Sequence, residues 1–168
     1  MAEDMPKNIG DFVLNHEHKF EIDTDSNKTL ADIDKANFVP IAGGINNHTP
    51  AYNETASNDE YYDGEGWGST DVTAKRLQLQ FAGHRKQGDA GQDYVVSKQF
   101  AIGPDLKTLF RWTHPDGTVI TGVINMSAIV PSGGAPGAKQ TFSFNADFDG
   151  KPTVELPGKG DNGDGSGE

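Results

Sequence analysis

The sequence contains no cysteine, which excludes disulfides, thiolate nucleophiles and cysteine metal sites and leaves the compartment unspecified. Long apolar runs are also missing: no stretch approaches the roughly 20 consecutive apolar residues that a membrane-crossing helix needs. Met1–Asn15 lacks a basic region followed by an apolar run, so no secretory signal is expected there. Cations are scarce, with 14 Lys and Arg against 25 Asp and Glu and a net charge of −11. Phosphate backbones are bound by cations that displace condensed counterions, so a chain this acidic is not expected to grip nucleic acid. Enzyme signatures are absent too: there is no P-loop, nucleophile elbow, H-E-x-x-H or dinucleotide fingerprint. The expectation is a soluble protein made in the cytoplasm, with no catalytic residue, no metal and no cofactor.

What is present favours strands. A chain of 168 residues suits one domain, and a 34% hydrophobic share with mean hydropathy −0.61 allows only an economical core. With 21 Gly and 9 Pro, many short strands joined by turns fit better than a helical bundle. His16–Asp23 alternates as a strand does, with His16, His18, Phe20 and Ile22 on one side and Glu17, Lys19, Glu21 and Asp23 on the other. Phe38–Ile41 begins a second strand, broken at Gly43-Gly44. Thr73–His84 is the clearest, with Leu77, Leu79 and Phe81 opposite Arg76, Gln78 and Gln80.

The period changes between Gly88 and Gly103. Asp89 is a candidate N-cap with Gln92 three residues on, in the manner of a capping box, and Gly103-Pro104 stops the helix. One flanking helix over about 89–101 is expected, with Val96 and Phe100 one turn apart. Leu106–Thr113 and Thr118–Val130 flank His114-Pro-Asp-Gly117, a hairpin turn in which Pro presets φ and Gly accepts positive φ. Pro131–Ala138 is a connector. Gln140–Phe148 alternates again, with Phe142, Phe144, Ala146 and Phe148 opposite Thr141, Ser143, Asn145 and Asp147. The architecture expected is an antiparallel β-sandwich or partly open barrel over 12–156, with a polar arm over 1–11 and a flexible tail over 157–168. Its sheet edges must be closed, blunted or paired with a neighbour.

Several clusters invite chemistry and yield plainer accounts. His16 and His18 share a strand face, but no Cys or His at zinc spacing joins them; His48, His84 and His114 would have to converge through the fold. Asp23–Asn27 opens like a calcium loop, yet Lys28 and Asp34 stand where that loop needs glycine and glutamate, so a turn is expected. Glu54, Asp59, Glu60, Asp63 and Glu65 are acids of a glycine-loosened loop, whereas a glycosidase holds its two carboxylates on a rigid scaffold.

That loop, Ala51–Asp71, is the strongest anomaly. It has no sustained apolar period, and loops this long are uncommon in compact domains unless functional or disordered. It nevertheless carries Tyr52, Tyr61, Tyr62 and Trp67, residues that anchor interfaces because they bury area at low entropic cost. The alternative is that these rings fold back on the chain's own core. The cations Lys75, Arg76, Arg85 and Lys86 bracket the strand that follows. They are either edge charges that discourage aggregation or partners for the acidic loop of a neighbouring copy, the condition for a head-to-tail ring or stack.

In order and spacing, three segments resemble the tail tube (major tail) proteins of long, flexible-tailed bacteriophages. They are Asn58–Gly68 (NDEYYDGEGWG), then Arg85–Gln92 (RKQGDAGQ) after a strand ending Phe81-Ala-Gly-His84, then the hairpin LFRWTHPDGTVITGVINMSAIV. The resemblance runs from about Phe12 to Phe148. It implies a β-sandwich-like barrel with one helix, six subunits to a ring, and rings stacked into a tube through which the genome leaves the virion. It further implies that Ala51–Asp71 is a stacking loop and that Thr141, Ser143, Asn145 and Asp147 line a lumen where DNA passes without specific binding. Tape-measure, tail terminator and distal tail proteins would be partners, with assembly in the host cytoplasm and residence in the virion tail. Some members carry an additional immunoglobulin-like domain at the C terminus; here a Gly/Asp-rich tail stands instead. A tube protein of a contractile secretion system and a carbohydrate-binding module using Tyr61, Tyr62 and Trp67 are the rival expectations.

Overall fold

A computed structural model describes Asn8–Ile9 and residues 12–158 of the chain. Most of the expected N-terminal arm and nearly all of the expected tail lie outside the described residues. Twelve strands occur among them: β1 (Asn8–Ile9), β2 (Phe12–Val13), β3 (Lys19–Asp23), β4 (Phe38–Pro40), β5 (Ile45–Ala51), β6 (Thr55–Glu60), β7 (Gly68–Ala74), β8 (Gln78–His84), β9 (Lys107–Thr113), β10 (Val119–Val130), β11 (Thr141–Phe148) and β12 (Thr153–Glu155). The one α-helix among the described residues, α1 (Ala90–Ser97), lies between β8 and β9.

The main sheet is antiparallel in the order β4-β3-β9-β10-β11-β8-β5, with β12 added to β10. On a flat sheet β3 and β8 would lie about 19 Å apart, four strand spacings. Their aromatic rings, Phe20 and Phe81, instead meet edge-to-face at 4.9 Å, so the sheet is curled over itself. The bend runs through β10. Its first half pairs with β9 and β12 and its second half with β11, and a bulge near Ala128, at φ 49°, shifts the register. Inside the curl pack Ile22, Leu79, Phe110, Ile124, Met126, Phe142, Phe144 and Phe148. The alternation of β11 is as expected: its three phenylalanines and Ala146 are buried, while its polar set faces outward.

The hairpin of β9 and β10 also forms as expected, with Gly117 at φ 93° and His114 accepting from and donating to the turn backbone. Both sheet edges are blunted. β4 ends on Pro40 and β5 carries Pro50, and proline offers no N–H for further pairing.

Other expectations are corrected. The first core strand begins at Lys19, because Asn15–Glu17 is a 3₁₀ turn; His16 is exposed and paired with Glu17 at 3.2 Å rather than sharing the face of His18. Asp23 does not point to solvent. It is fully buried and accepts from the backbone N–H groups of Asp25, Asn27 and Asn37 and from the Asn27 side chain. Burial alone would raise its pKa, but these four donors prevail and hold it below the usual carboxylate value. The Asp23–Asn27 segment is a turn, held by its own first carboxylate.

The helix is shorter than 89–101. After Ser97 the chain closes tighter turns, Lys98 N–H to Val95 O and Gln99 N–H to Val96 O, which swing Phe100 into solvent. Asp89 caps the helix by accepting from Gln92 N–H at 3.1 Å, but the reciprocal half of the capping box is missing. The Gln92 carboxamide is buried and used elsewhere. Its Nε2 donates to Gly43 O (2.7 Å) and His84 O (3.0 Å), and its Oε1 accepts from Lys86 N–H (2.8 Å) and Arg85 Nη1 (3.3 Å). One side chain therefore ties the helix to the ends of β5 and β8. Gly91 permits the approach, since a Cβ there would stand 2.6 Å from both Pro40 O and the Ile41 side chain. The Gly-Asp-Ala-Gly-Gln segment is explained by this joint.

Replacing Gln92 with Ala should therefore leave two carbonyls and a backbone N–H short of partners and lower unfolding free energy by about 2–4 kcal/mol. Urea titration followed by tryptophan fluorescence measures this; a loss under about 0.5 kcal/mol would show that the amide is not the tie.

Candidate functional site

The segment expected as an irregular loop is a β-hairpin. β6 and β7 pair antiparallel from Thr55↔Ala74 to Glu60↔Gly68 and form a sheet of their own. Period-2 alternation failed to reveal them because neither face is buried: no residue of β6 or β7 belongs to the core. They continue the ribbon made by β5 and β8. At the joint Arg76 N–H donates to Tyr52 O (2.8 Å), the Asn53 side chain donates to Arg76 O (3.3 Å), and Asn53 takes φ 43°. Lys75 and Glu54 close the joint with an ion pair at 2.9 Å. Asparagine tolerates that left-handed conformation better than most residues, which suits it to a break between two ribbons.

The hairpin's rings do not fold back on the core. Tyr62, in the 3₁₀ turn Tyr62–Gly64, is 110% exposed and Trp67 is 82% exposed, while Tyr61 and Tyr52 are also exposed. Asp59, Glu60, Asp63 and Glu65 share the stretch of chain that carries Tyr61, Tyr62 and Trp67, and Asp59 accepts from Ser57. Glu65 at φ 52° and Gly66 at φ 88° complete the turn. The tip is thus a cluster of aromatic rings and carboxylates held away from the body.

The four cations part company. Lys75 is engaged with Glu54, and Arg85 with Asp93 at 2.6 Å and with Gln92. Arg76 and Lys86 make no ion pair among the described residues. Half of the basic rim is therefore satisfied within its own chain.

The outward face of the central strands is polar and in register. Asp147 stands opposite Gln78 and Asn125, and Asn145 opposite Gln80 and Ser127. Gln78 and Ser127 both donate to the Asp147 carboxylate, which fixes it between its neighbours. Ser143 faces Ala82 and Thr141 faces His84. On β8, β10 and β11 this patch is made of amides and hydroxyls with one carboxylate; Lys107, opposite Asn125 at its β9 border, is paired with Asp149 at 2.7 Å.

Three histidines that the sequence left scattered do converge. The His18 ring lies 5.1 Å from both His48 and His114, and Trp112 Nε1–H donates to His18 Nδ1 at 3.0 Å. Indole N–H only donates, so that nitrogen of His18 carries no proton. His114 Nε2 is buried and meets no partner among the described residues. Sequence offered no clue to this cluster, since its members come from the start of β3, from β5 and from the β9–β10 turn. Among the described residues no group of three His, Cys, Asp or Glu is arranged to hold a metal ion. Beside the cluster a cleft of about 420 Å³ opens between the start of β3 and the start of β5.

No protein-family model matches the sequence, and no curated protein matches it. Solved structures do share the fold. One is a chain in the tail of an empty GTA particle refined with helical C6 symmetry, with a TM-score of 0.66, 14% identity, and 85% of this chain and 97% of that one covered. Another is a chain in the virion of a native gene transfer agent particle, with a TM-score of 0.64, 15% identity, and 85% and 98% covered. This mainly β chain, with one α-helix among its described residues, shares its fold with both of those chains.

Burial, then the neighbouring imidazoles, lower the pKa of His18 and of His48 below the ordinary 6.5, with Asp116 opposing weakly at His18. Below pH 6.5 the unfolded chain therefore binds protons that the folded chain resists, and stability falls as pH drops. The urea midpoint should be lower at pH 5 than at pH 7.5, and His48→Gln should flatten that difference. A midpoint unchanged or higher at pH 5 would contradict the burial of this cluster.

Proposed function

We propose that this chain is a non-enzymatic structural subunit of a phage-type tail tube, forming six-membered rings that stack into a conduit for the genome. The observation that carries the proposal is the projecting hairpin, whose tip presents Tyr62 and Trp67 to solvent among carboxylates. Isolated monomers gain nothing from holding such rings in water, whereas a second copy can bury them. The fold shared with virion chains, one of them in a C6-symmetric tail, supports the same assembly. Residence in the virion tail, assembly in the host cytoplasm, and contact with tape-measure, terminator and distal tail proteins follow from this role.

In the proposed tube, Ala51–Asp71 reaches the adjacent ring, and Arg76 and Lys86 are the cations left to meet the carboxylates of another copy. The polar face of Thr141, Ser143, Asn145 and Asp147 lines the lumen. Amides, hydroxyls and a carboxylate offer phosphates no ion pair, so DNA slides past without the counterion exchange that makes binding strong. No catalytic step, metal or cofactor enters the role.

Deletion of Asn58–Gly68 should leave a folded monomer, because the hairpin contributes nothing to the core, and should abolish tubes or rings seen by electron microscopy of concentrated protein. Unimpaired tube formation by that variant would overturn the stacking role. Asp147→Lys should permit assembly but slow DNA release from particles carrying it; unchanged release would place the lumen on another face.

A further inference from the structure

We infer that the cleft beside the histidine cluster is the seat for the hairpin tip of a second copy, with the Tyr62 ring entering it; this rests on the self-assembly proposed above. The cleft is about 420 Å³ and is lined by Phe20, Ile41 and Ile45 on its apolar side and by His18, Asn46 and His48 on its polar side. That volume lies within the range of about 300–1,000 Å³ typical of sites that enclose ring-sized groups. A phenol suits such walls. Its ring packs against isoleucine and tilted imidazole, and its hydroxyl exchanges hydrogen bonds with asparagine amides.

Charge points to the same occupant. In a chain of net charge −11, none of the residues lining the cleft is a carboxylate. The acids nearby are engaged: Glu17 with His16 at 3.2 Å, Asp89 with the helix N-terminus, and Asp116 with Thr118 N–H. The tip carries Asp59, Glu60, Asp63 and Glu65 and no base from Asn58 to Gly68, so most of the molecule's surface repels it. The cleft mouth, with His16, His18 and His48, is one place where it meets imidazoles instead.

Position fixes the partner as another copy. The cleft lies at the start of β5, whereas the hairpin departs from the end of β5 and runs onward through β6. Cleft and tip are separated by β5, the break at Asn53 and β6, about 50 Å along an extended chain, and Tyr62, 110% exposed, does not enter its own cleft. The tip of a copy displaced along the ribbon reaches it. The contact is heterologous, so each copy offers one tip and one cleft and the series does not close on a pair.

Because the native chain has no cysteine, introduced thiols report the contact directly. Ala42, an exposed residue at the cleft, and Asp63, the exposed neighbour of Tyr62 at the tip, are changed singly to Cys, which leaves the Tyr62 ring in place. The two variants are then mixed under assembly conditions with a short thiol–thiol cross-linker. A dimer cross-linked between A42C and D63C is expected, at least tenfold above a control pairing D63C with Val154→Cys. Tyr62→Ala and Ala42→Trp should each reduce the assembled fraction at least tenfold while circular dichroism stays unchanged, and Tyr62→Phe should restore most of it. If tubes form with neither the cross-link nor sensitivity to A42W, the cleft assignment is overturned and the stacking role stands. Should wild-type protein stay monomeric under every assembly condition and the A42C and D63C pair show no cross-link, both fall. A cross-link from A42C into its own chain at Ile9→Cys, without one to D63C, would assign the cleft to the N-terminal segment and overturn the inference.

Discussion

The edge-to-face contact between Phe20 and Phe81 is the constraint on which the rest of the molecule depends. It joins strands that the pairing order separates by three others, and only a curled sheet permits it. Once the sheet is curled, the phenylalanines of β11 have an interior and the polar residues between them have an exterior. The helix then has one open flank to cover, and the Gln92 amide fastens it there by donating to the main-chain carbonyls of Gly43, just before β5, and His84, at the end of β8. The histidine cluster is a by-product of the same closure, since His18 and His48 belong to strands brought face to face by it.

Much of this was legible from the chain itself where one face of a strand is buried. β8 and β11 alternate because core and solvent alternate around them, and the Pro-Asp-Gly turn announces the hairpin between β9 and β10. Three features were not legible, each for a physical reason. β6 and β7 leave no alternating signature because water covers both of their faces. Asp23 sits on the polar side of an alternating run, and only the turn that wraps its carboxylate shows that it is buried. Phe100 was assigned to a helix face by its spacing from Val96, but tighter turns after Ser97 rotate it outward. Of the candidate site, residue types and aromatic anomaly were readable; the cleft and the pairing of Lys75 and Arg85 within their own chain required the fold.

Electrostatics and shape act together in the proposed assembly. A strongly acidic surface keeps copies apart in solution, and the few places without exposed carboxylates become the places where an acidic tip is tolerated. In that proposal the charge that disfavours contact with phosphate backbones also restricts how copies meet. Specificity here comes from repulsion across most orientations as much as from attraction in one.

The bulge in β10 has a consequence for how this chain can vary. That single strand belongs to both layers of the curled sheet, pairing with β9 before the bulge and with β11 around and beyond it. Side chains alternate with a period of two, so one residue inserted between Ile124 and Ser127 would exchange inside for outside along the rest of β10. Met126 would then face water and Ser127 the core, while the phenylalanines of β11 kept their side. Loops can lengthen freely, but β10 tolerates change in length only in pairs, or with a second bulge that restores the count.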